Sequence, residues 1–306
     1  MALYLVTGGC GFIGSHLVDA LLARGDEVRV LDDLSTGKRE NLDPRAPLIV
    51  GDVADRMLVA DAIQGADGCF HLAAVASVER GNQDWLGTHR TNLTGAITVF
   101  DAARRAKPGA AIPVVYASSA AVYGDSAALP LSESGPTRPL SAYGADKLGC
   151  ELHARVASLV HGVPTAGCRF FNVYGPRQDP ASPYSGVISI FFDRLGQGLP
   201  VKIFGDGGQT RDFIYVADVV DALLKAMDRR PADAPVFNVC TGRATSILDL
   251  ARTIAEARGA RLESRFEPAR AGDIRASLGD PVLAAEILGF SAGTTLAEGL
   301  GRMNGG

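Results

Sequence analysis

Residues 3–14, LYLVTGGCGFIG, decide the fold of this chain. A short apolar run leads into glycines spaced three apart, at Gly8, Gly11 and Gly14, and an amphipathic pattern over Phe12–Ala23 follows. This order is typical of the strand, turn and helix that bind a dinucleotide. Gly8 would turn the chain sharply, Gly11 would let the backbone approach a pyrophosphate, and Gly14 would let the helix pack on the strand. The free amides at the start of the helix would then hold the phosphates.

Outward from this stretch, apolar runs alternate with helical patterns. The runs expected to form buried parallel strands are Leu3–Val6, Val28–Leu31, Leu48–Val50, Gly68–His71, Ile112–Tyr116 and Thr165–Phe170. Helices are predicted over Phe12–Ala23, Trp85–Ala106 and Ala142–Val160. Strands that alternate with helices require right-handed crossovers, which predicts an α/β fold with a doubly wound parallel-sheet Rossmann domain over residues 1–168.

The amino-acid composition changes after this domain. Residues 172–210 are rich in Gly, Pro, Asp and Ser, as expected of a binding loop or lid, and contain one helical stretch near Val187–Leu195. Further helices are predicted near Asp218–Met227 and Ser246–Ala257. We expect residues 169–306 to form mainly a smaller α/β domain that binds substrate, with a segment near 211–240 returning to the first domain.

Composition narrows the class of protein. The 306 residues carry a net charge of −4 without long blocks of one sign, which gives no electrostatic reason for binding nucleic acid or a membrane surface. Five scattered cysteines lack the spacing of a metal site and are odd in number, which favours a reduced, cytoplasmic protein. From the cysteine spacing we expect no metal site. We also expect no transmembrane segment, because no apolar run is long enough to span a bilayer.

The cofactor choice rests on Asp32, which ends the second predicted strand eighteen residues after Gly14. A carboxylate there accepts hydrogen bonds from the adenosine ribose and repels a 2′-phosphate, which favours NAD over NADP. The neighbouring Lys38 and Arg39 weaken that preference. Asp52 and Val53 follow the third strand, where they would meet the adenine. After the fourth strand, the small segment Leu72, Ala73 and Ala74 would let the dinucleotide pass close by.

Tyr143 and Lys147 are the candidate catalytic pair. They are four residues apart at the start of a predicted helix and therefore share a face. A tyrosine is ordinarily a poor base at neutral pH, since its pKa is ~10, but a nearby ammonium stabilises the phenolate. Ser118 and Ser119 follow the strand Ile112–Tyr116 at the edge where open α/β sheets bind ligands. Ser119 would hydrogen-bond the substrate oxygen that gains or loses a proton.

The order and spacing of these motifs resemble the extended short-chain dehydrogenase/reductase family of nucleotide-sugar enzymes. The resemblance covers nearly the whole chain, through TGGCGFIG at 7–14, HLAA at 71–74, NLTG at 92–95, SSAAVYG at 118–124, YGADK at 143–147, RFFNVYGPRQDP from 169, GDGGQTRDFIYV from 205 and RAGDIRAS from 270. It implies that Asn92 lies near the nicotinamide, that Tyr143 is the acid/base and that Lys147 supports it and orients the ribose. Phe12, Ile13, Ser118 and Phe170 complete the cofactor contacts that we expect.

Within that family, the residues after the catalytic serine discriminate between reactions. Dehydratases carry Asp-Glu and decarboxylases carry Ser-Glu where this chain has Ala120 and Ala121. Alanine offers no acid or base for elimination, so oxidation and reduction alone remain. The resemblance is to the 4-epimerases of UDP-glucose, in which Tyr143 would take the proton of the sugar 4-hydroxyl while bound NAD oxidises and then re-reduces carbon 4.

The resemblance also implies a site for the UDP-sugar. Arg211 and Arg270 would clamp the diphosphate, a role that suits a bidentate guanidinium. Asp273 would hold the uridine ribose. The remaining substrate contacts that we expect, besides Ser119 and Tyr143, are Asn172 near the sugar diphosphate, Val187, Lys202 and Phe204 near the uracil, and Ser277.

Ser277 bears on the choice of sugar. It matches a position where a tyrosine restricts the pocket to plain hexoses and a small residue leaves room for an N-acetyl group, so UDP-N-acetylglucosamine and UDP-N-acetylgalactosamine are expected substrates beside UDP-glucose and UDP-galactose. Gly144 and Gly149 lie inside the predicted catalytic helix, each at a cost of about 1 kcal/mol relative to alanine. Gly144 would leave room for the sugar or for close packing.

Three other functions stay open at this point. One is a different UDP-sugar epimerase, acting on a glucuronate or a pentose. Another is a dehydrogenase that releases NADH, and the third is a non-catalytic NAD-binding sensor on the same fold. The resemblance further implies a homodimer through a four-helix bundle, to which the helices Trp85–Ala106 and Ala142–Val160 would contribute.

Overall fold

The computed structural model describes residues 1–179, 186–231, 233–269 and 274–304. The strands are β1 Leu3–Thr7, β2 Glu27–Asp32, β3 Leu48–Val50, β4 Gly68–His71, β5 Val114–Ser119, β6 Thr165–Phe170, β7 Asn172–Tyr174, β8 Val201–Phe204, β9 Thr210–Tyr215, β10 Val236–Val239, β11 Ala244–Ser246 and β12 Ser264–Glu267. The helices are α1 Phe12–Ala23, α2 Arg56–Ala62, α3 Val78–Gln83, α4 Trp85–His89, α5 Gly95–Ala103, α6 Ala142–His161, α7 Val187–Gly196, α8 Val216–Arg229, α9 Ile247–Arg258, α10 Val282–Leu288 and α11 Leu296–Met303. Short 3₁₀ turns cover Arg39–Asn41 and Ala120–Tyr123, and a π turn covers Arg90–Thr94.

Among the described residues, seven parallel strands form the main sheet, in the order β10-β6-β5-β4-β1-β2-β3. On one face, α1 and α8 pack over a core that includes Leu17, Phe70 and Leu223. On the other face, α2, α5 and α6 cover a second core around Leu5 and Val99. Because both faces are covered by helices, the strands are mostly apolar, as the sequence predicts for a doubly wound sheet.

A smaller layer lies beyond the carboxyl edge of this sheet. It combines the three-stranded sheet β11-β9-β7 with the two-stranded sheet β12-β8. Helices α7, α9 and α11 pack around a core that contains Phe191, Ile203 and Leu250. After this layer, α8 packs on the main sheet and β10 joins it beside β6, as expected for the segment that returns to the first domain. The division into two domains stays a prediction.

The largest differences from the expected boundaries are in two elements. The fifth strand runs over Val114–Ser119 rather than Ile112–Tyr116, so Ser118 and Ser119 are its last two residues instead of following it. The helix expected over Trp85–Ala106 ends at Ala103 and contains the π turn. Both differences arise from tertiary contacts, because pairing with β6 extends the strand and the π turn directs Asn92 inward.

The five cysteines are free and buried. Among the described residues, no group of histidine, cysteine and acidic side chains is arranged to bind a metal ion. Within the same residues, no helix combines the length and apolar character that crossing a membrane requires.

Candidate active site

The glycine turn between β1 and α1 is formed by contacts that only glycine permits. Gly8 has φ +72°, and a Cβ there would lie 2.7 Å from the amide nitrogen of Ala73. A Cβ on Gly14 would lie 2.1 Å from the carbonyl oxygen of Gly8, so the helix can approach the turn only without a side chain. A Cβ on Gly11 would meet only that same oxygen, at 3.2 Å, which leaves its other side open for a phosphate.

A cleft runs from this turn along the carboxyl ends of β2, β3 and β4. The expected cofactor residues that line it are Gly8, Gly11, Asp32, Val53, Leu72, Ala73 and Ala74, together with Gly37, Gly51 and Val75. Asp52 lies beside the cleft, where its carboxylate accepts the Ala54 amide and pairs with Arg90 at 2.9 Å. Phe12 and Ile13 are half-buried and pack against the core of the smaller layer. The cleft therefore offers glycine backbone at one end and a carboxylate further along, as the adenosine end of a dinucleotide requires.

Asp32 is 7% exposed and its carboxylate is held by two backbone amides. Oδ2 accepts the Cys10 amide at 2.9 Å and Oδ1 accepts the Leu34 amide at 2.9 Å. Burial raises the pKa of Asp32 despite these hydrogen bonds. Each carboxylate oxygen can accept a further bond, as binding of two ribose hydroxyls requires. Lys38, which weakened the preference for NAD, is paired with Asp179 at 3.1 Å.

Asn92 lies in the π turn and is 1% exposed. Its Oδ1 accepts the Val75 amide at 2.8 Å and its Nδ2 donates to the Val75 carbonyl at 3.2 Å. The Cys150 thiol donates to the Asn92 carbonyl at 3.3 Å. The Asn92 side chain therefore fixes Val75, which follows β4 and lines the cleft. Asn92 lies behind this segment, and its side-chain amide does not point into the cleft.

Tyr143 and Lys147 lie on the first two turns of α6. Ser141 caps the helix by accepting the Gly144 amide at 3.1 Å, which fixes where these turns begin. Lys147 is 3% exposed, and its ammonium lies 5.8 Å from the centre of the Tyr143 ring and donates to the Ala117 carbonyl at 2.9 Å. A buried cation is therefore held over the ring of Tyr143.

The two serines at the end of β5 point in different directions, because successive side chains of a strand alternate. The Ser118 hydroxyl is buried and donates to Glu151 at 2.5 Å, so it faces α6 and not the cleft. The half-buried Ser119 accepts the Ala121 amide at 3.1 Å, which leaves its hydrogen to donate to a substrate oxygen. Phe170, opposite Ser119 on β6, is 9% exposed and packs in the core.

On the substrate side, three expected residues lie on or beside the paired strands β7 and β9. Asn172 of β7 is exposed and pairs with Phe213 of β9, where Arg211 lies two residues earlier. The Ser277 amide donates to the Thr210 carbonyl at 3.1 Å, next to Arg211. Arg211 donates to that carbonyl as well, at 2.8 Å. Asn172, Arg211 and Ser277 thus lie along residues 210–213 of β9. Arg270 and Asp273 lie outside the described residues.

The other expected substrate residues lie further out. Lys202 is exposed and Phe204 half-buried, both on the same face of β8, and Val187 begins α7 against the smaller core. Asp212 is fully buried and holds the segment that contains Ser277, because its carboxylate accepts the amide of Gly279, two residues further on. The same carboxylate accepts the Thr241 amide and hydroxyl and the Gly242 amide. Burial raises the pKa of Asp212. Sequence reasoning missed Asp212, whose only signal is an acid within an apolar strand.

Comparison with known proteins assigns the class. The model of the NAD dependent epimerase/dehydratase family matches residues 4–240, and the chain belongs to this family. NAD is therefore its cofactor, in agreement with the glycine cradle and Asp32, and the resemblance drawn from the sequence is confirmed.

Particular relatives are similar over their full length. The chain is 41% identical to the UDP-glucose 4-epimerase of Mycolicibacterium smegmatis, over 97% of this chain and 96% of that protein. Among solved structures, UDP-glucose 4-epimerase from Thermotoga maritima with UDP-glucose has a TM-score of 0.94 at 36% identity, covering 98% of this chain and 97% of that one. UDP-N-acetylglucosamine 4-epimerase from Methanobrevibacter ruminantium M1, in complex with UDP-N-acetylmuramic acid, has a TM-score of 0.93 at 34% identity, covering 99% and 96%.

Proposed function

We propose that this chain is a UDP-hexose 4-epimerase that interconverts UDP-glucose and UDP-galactose, and also their N-acetylated counterparts. The observation that carries the proposal is the position of the Lys147 ammonium, which lies over the Tyr143 ring and donates to the Ala117 carbonyl, two residues before Ser119 at the end of β5. Ala120 and Ala121, which follow Ser119 in a 3₁₀ turn, carry no group that could expel a neighbouring hydroxyl. The relatives named 4-epimerases support the same reaction.

The residues have separable roles in this reaction. The Tyr143 phenolate takes the proton of the sugar 4-hydroxyl and later returns it, which is general base and then general acid catalysis at one oxygen. Lys147 stabilises the phenolate through its buried ammonium. Ser119 donates its hydroxyl to the same sugar oxygen. When bound, NAD supplies a reversible acceptor for the hydride of carbon 4.

For the substrate, we propose that Arg211 and Arg270 hold the diphosphate, that Asp273 holds the uridine ribose, and that Asn172, Val187, Lys202 and Phe204 line the rest of the path. The collection of Asn172, Arg211 and Ser277 around β9 supports a common site. Ser277 is half-buried and small, which supports a pocket with room for an N-acetyl group.

The test supplies NAD with each UDP-sugar and follows both the product and the absorbance of NADH. Epimerisation of UDP-galactose without net NADH, and its loss by a factor of roughly 10²–10⁴ in Tyr143→Phe, is expected. Net NADH would instead identify a dehydrogenase. Turnover confined to a UDP-glucuronate or a UDP-pentose would identify a different epimerase, and NAD binding without turnover of any UDP-sugar would identify a sensor.

We propose in addition a homodimer through α4–α6. Exposed apolar side chains lie along one face of α6 at Leu152, Val156 and Leu159, with spacings of four and three residues. Trp85 and Leu86 are also exposed, at 68% and 82%, on the helix that precedes α5, and α5 packs beside α6. Two such helices from each copy would bury these side chains as a four-helix bundle.

Sedimentation velocity tests the dimer. Leu159→Glu should convert it to a monomer, because the charge would be buried in the bundle. Ile287→Glu is the matched control, since Ile287 is 44% exposed on α10, which packs against α8 on the other face of the main sheet. A dimer that persists in Leu159→Glu would refute the interface.

The free, buried cysteines support a cytoplasmic location for this enzyme.

A further inference from the structure

A buried ion pair lies behind the catalytic serine and takes no direct part in the reaction described above. Glu151 is 8% exposed and Arg169 is 5% exposed. The Arg169 Nε donates to Glu151 Oε1 at 2.8 Å and Nη2 donates to Oε2 at 2.7 Å, a bidentate pair. Ser118 donates its hydroxyl to the same Oε1 at 2.5 Å, which is the length of a hydrogen bond to a carboxylate.

Glu151 is placed so that this pair reaches the catalytic helix and the catalytic strand at once. It follows Lys147 by one turn of α6 and Tyr143 by two, so the three side chains share one face. Lys147 donates to the Ala117 carbonyl, and Glu151 accepts from the next residue, Ser118. The helix is therefore fastened to two consecutive residues of β5, immediately before Ser119.

The pair also fixes the chain after Ser119. Arg169 Nη1 donates to the Tyr123 hydroxyl at 2.8 Å, and its guanidinium lies 4.7 Å from the centre of that ring. The Tyr123 hydroxyl donates in turn to Asn238 Oδ1 at 2.7 Å. Tyr123 ends the 3₁₀ turn that begins after Ser119. Ser119 is thus held on both sides, through Ser118 and through Tyr123, by the same two charges.

Stability alone does not account for this arrangement. Burying an ion pair carries a desolvation cost that apolar side chains of the same size would avoid, so such a pair is weak evidence for stability. A bidentate guanidinium and carboxylate do supply fixed directions, which apolar packing does not. Ser118 and Arg169 are paired positions on the adjacent strands β5 and β6, so the Glu151 carboxylate accepts hydrogen bonds from two neighbouring side chains of the sheet.

We propose that Glu151 is a positioning residue for the epimerase reaction: through Ser118 and Arg169 it sets the distance between the Ser119 hydroxyl and the Tyr143–Lys147 pair. This inference rests on the proposed function only for its kinetic consequence. The geometric part concerns the chain alone, and holds whether or not a sugar is turned over.

The experiment compares Ser118→Ala with Thr165→Val. Thr165 is the matched control, because its hydroxyl is equally buried and also joins a strand to α6, donating to the Ala154 carbonyl at 3.0 Å, but at the amino end of β6. Each variant loses one buried hydroxyl that binds the helix, so both should lower the melting temperature by a similar amount. Glu151→Gln is a third variant, and Ser118→Ala keeps the test valid if that variant fails to fold.

Ser118→Ala should lower kcat for the UDP-sugar by roughly tenfold, because small displacements of catalytic groups have large effects, while KM stays within about twofold. Hydrogen exchange of the amides at 119–123, measured without substrate, should accelerate in Ser118→Ala and not in Thr165→Val. The double variant Ser118→Ala/Glu151→Gln should have the kcat of Glu151→Gln alone, since both changes interrupt one connection.

Three results would overturn the inference: an unchanged kcat in Ser118→Ala, an equal loss of kcat in Thr165→Val, or a rise in KM with kcat preserved. Failure of the proposed function is distinguishable from these, because the wild-type chain would then turn over no UDP-hexose. In that case the exchange measurement still decides the geometric part, and equal exchange in the two single variants would refute it.

Discussion

Two glycines of the catalytic helix should respond in opposite ways to alanine. A Cβ on Gly144 would lie 2.7 Å from the Ala121 carbonyl oxygen and 3.1 Å from the Pro139 Cβ. A Cβ on Gly149 would meet only the methyl groups of Leu93, at 3.0 and 3.1 Å. Backbone has to move in the first case, whereas the end of a flexible side chain moves in the second. Gly144 therefore serves close packing against the 3₁₀ turn that follows Ser119.

The magnitudes follow from these contacts. Alanine gains about 1 kcal/mol over glycine within a helix, and forcing an extra methyl group into a packed site costs about 1–3 kcal/mol. Gly144→Ala should therefore lower the free energy of unfolding by up to about 2 kcal/mol. It should also lower kcat by roughly tenfold or more, because the turn carrying Ser119 shifts away from Tyr143. Gly149→Ala should keep kcat within about twofold and be neutral or more stable by up to about 1 kcal/mol.

The assay combines urea unfolding of both variants with kcat and KM for UDP-galactose. Gly149→Ala is the control for any general effect of alanine in α6. A Gly144→Ala variant with the stability and kcat of the wild type would refute the packing argument. Equal losses in the two variants would refute it as well, because the contrast between backbone and side-chain neighbours would then have no consequence.

Three further predictions concern acid stability, the cofactor and the sugar. Burial lowers the pKa of His71 to about 3, whereas the unfolded chain binds this proton near pH ~6.5. The stability from the neutral imidazole is therefore fully present above pH ~6.5, and the free energy of unfolding falls by about 1.4 kcal/mol per pH unit as the pH decreases from there toward 3. In urea unfolding from pH 4 to 7, the free energy of unfolding should depend less steeply on pH in His71→Gln, and an unchanged dependence would contradict the buried, neutral state of His71. Asp32→Asn should weaken NAD binding about tenfold, because charge-assisted hydrogen bonds are lost, and it should reduce the ratio of NAD affinity to NADP affinity. Equilibrium dialysis with both dinucleotides measures the two affinities, and an unaltered NAD affinity would exclude the proposed ribose contact. Ser277→Tyr should suppress turnover of the N-acetylated sugars and spare UDP-galactose, and loss of both activities, or of neither, would refute its role in selecting the sugar.

Much of the fold could be read from local patterns. The glycines at Gly8, Gly11 and Gly14 predicted the turn because each has a steric reason that acts within a few residues. The alternation of apolar runs and helices predicted the doubly wound sheet, since periodicity shows which faces are buried. Tyr143 and Lys147 were predictable as a pair, because four residues of one helix bring them to the same face.

The register between distant strands was not available from such patterns. Sequence placed Ser118 beside Ser119 at an expected ligand edge, but the structure turns its hydroxyl toward Glu151, since adjacent side chains of β5 face opposite ways. The π turn at Asn92 and the anchoring of Ser277 by Asp212 likewise depend on chain segments far apart in sequence.

The sequence by itself determined the family, through the order of its motifs, and it determined the glycine turn and the placement of Lys147 beside Tyr143, because both are set by spacing along one strand or one helix. Only the tertiary structure decided what holds that pair in relation to Ser119. Glu151, Arg169 and Ser118 come from α6, β6 and β5, and a hydrogen-bonded ion pair depends on distances that arise when the sheet and helix are assembled.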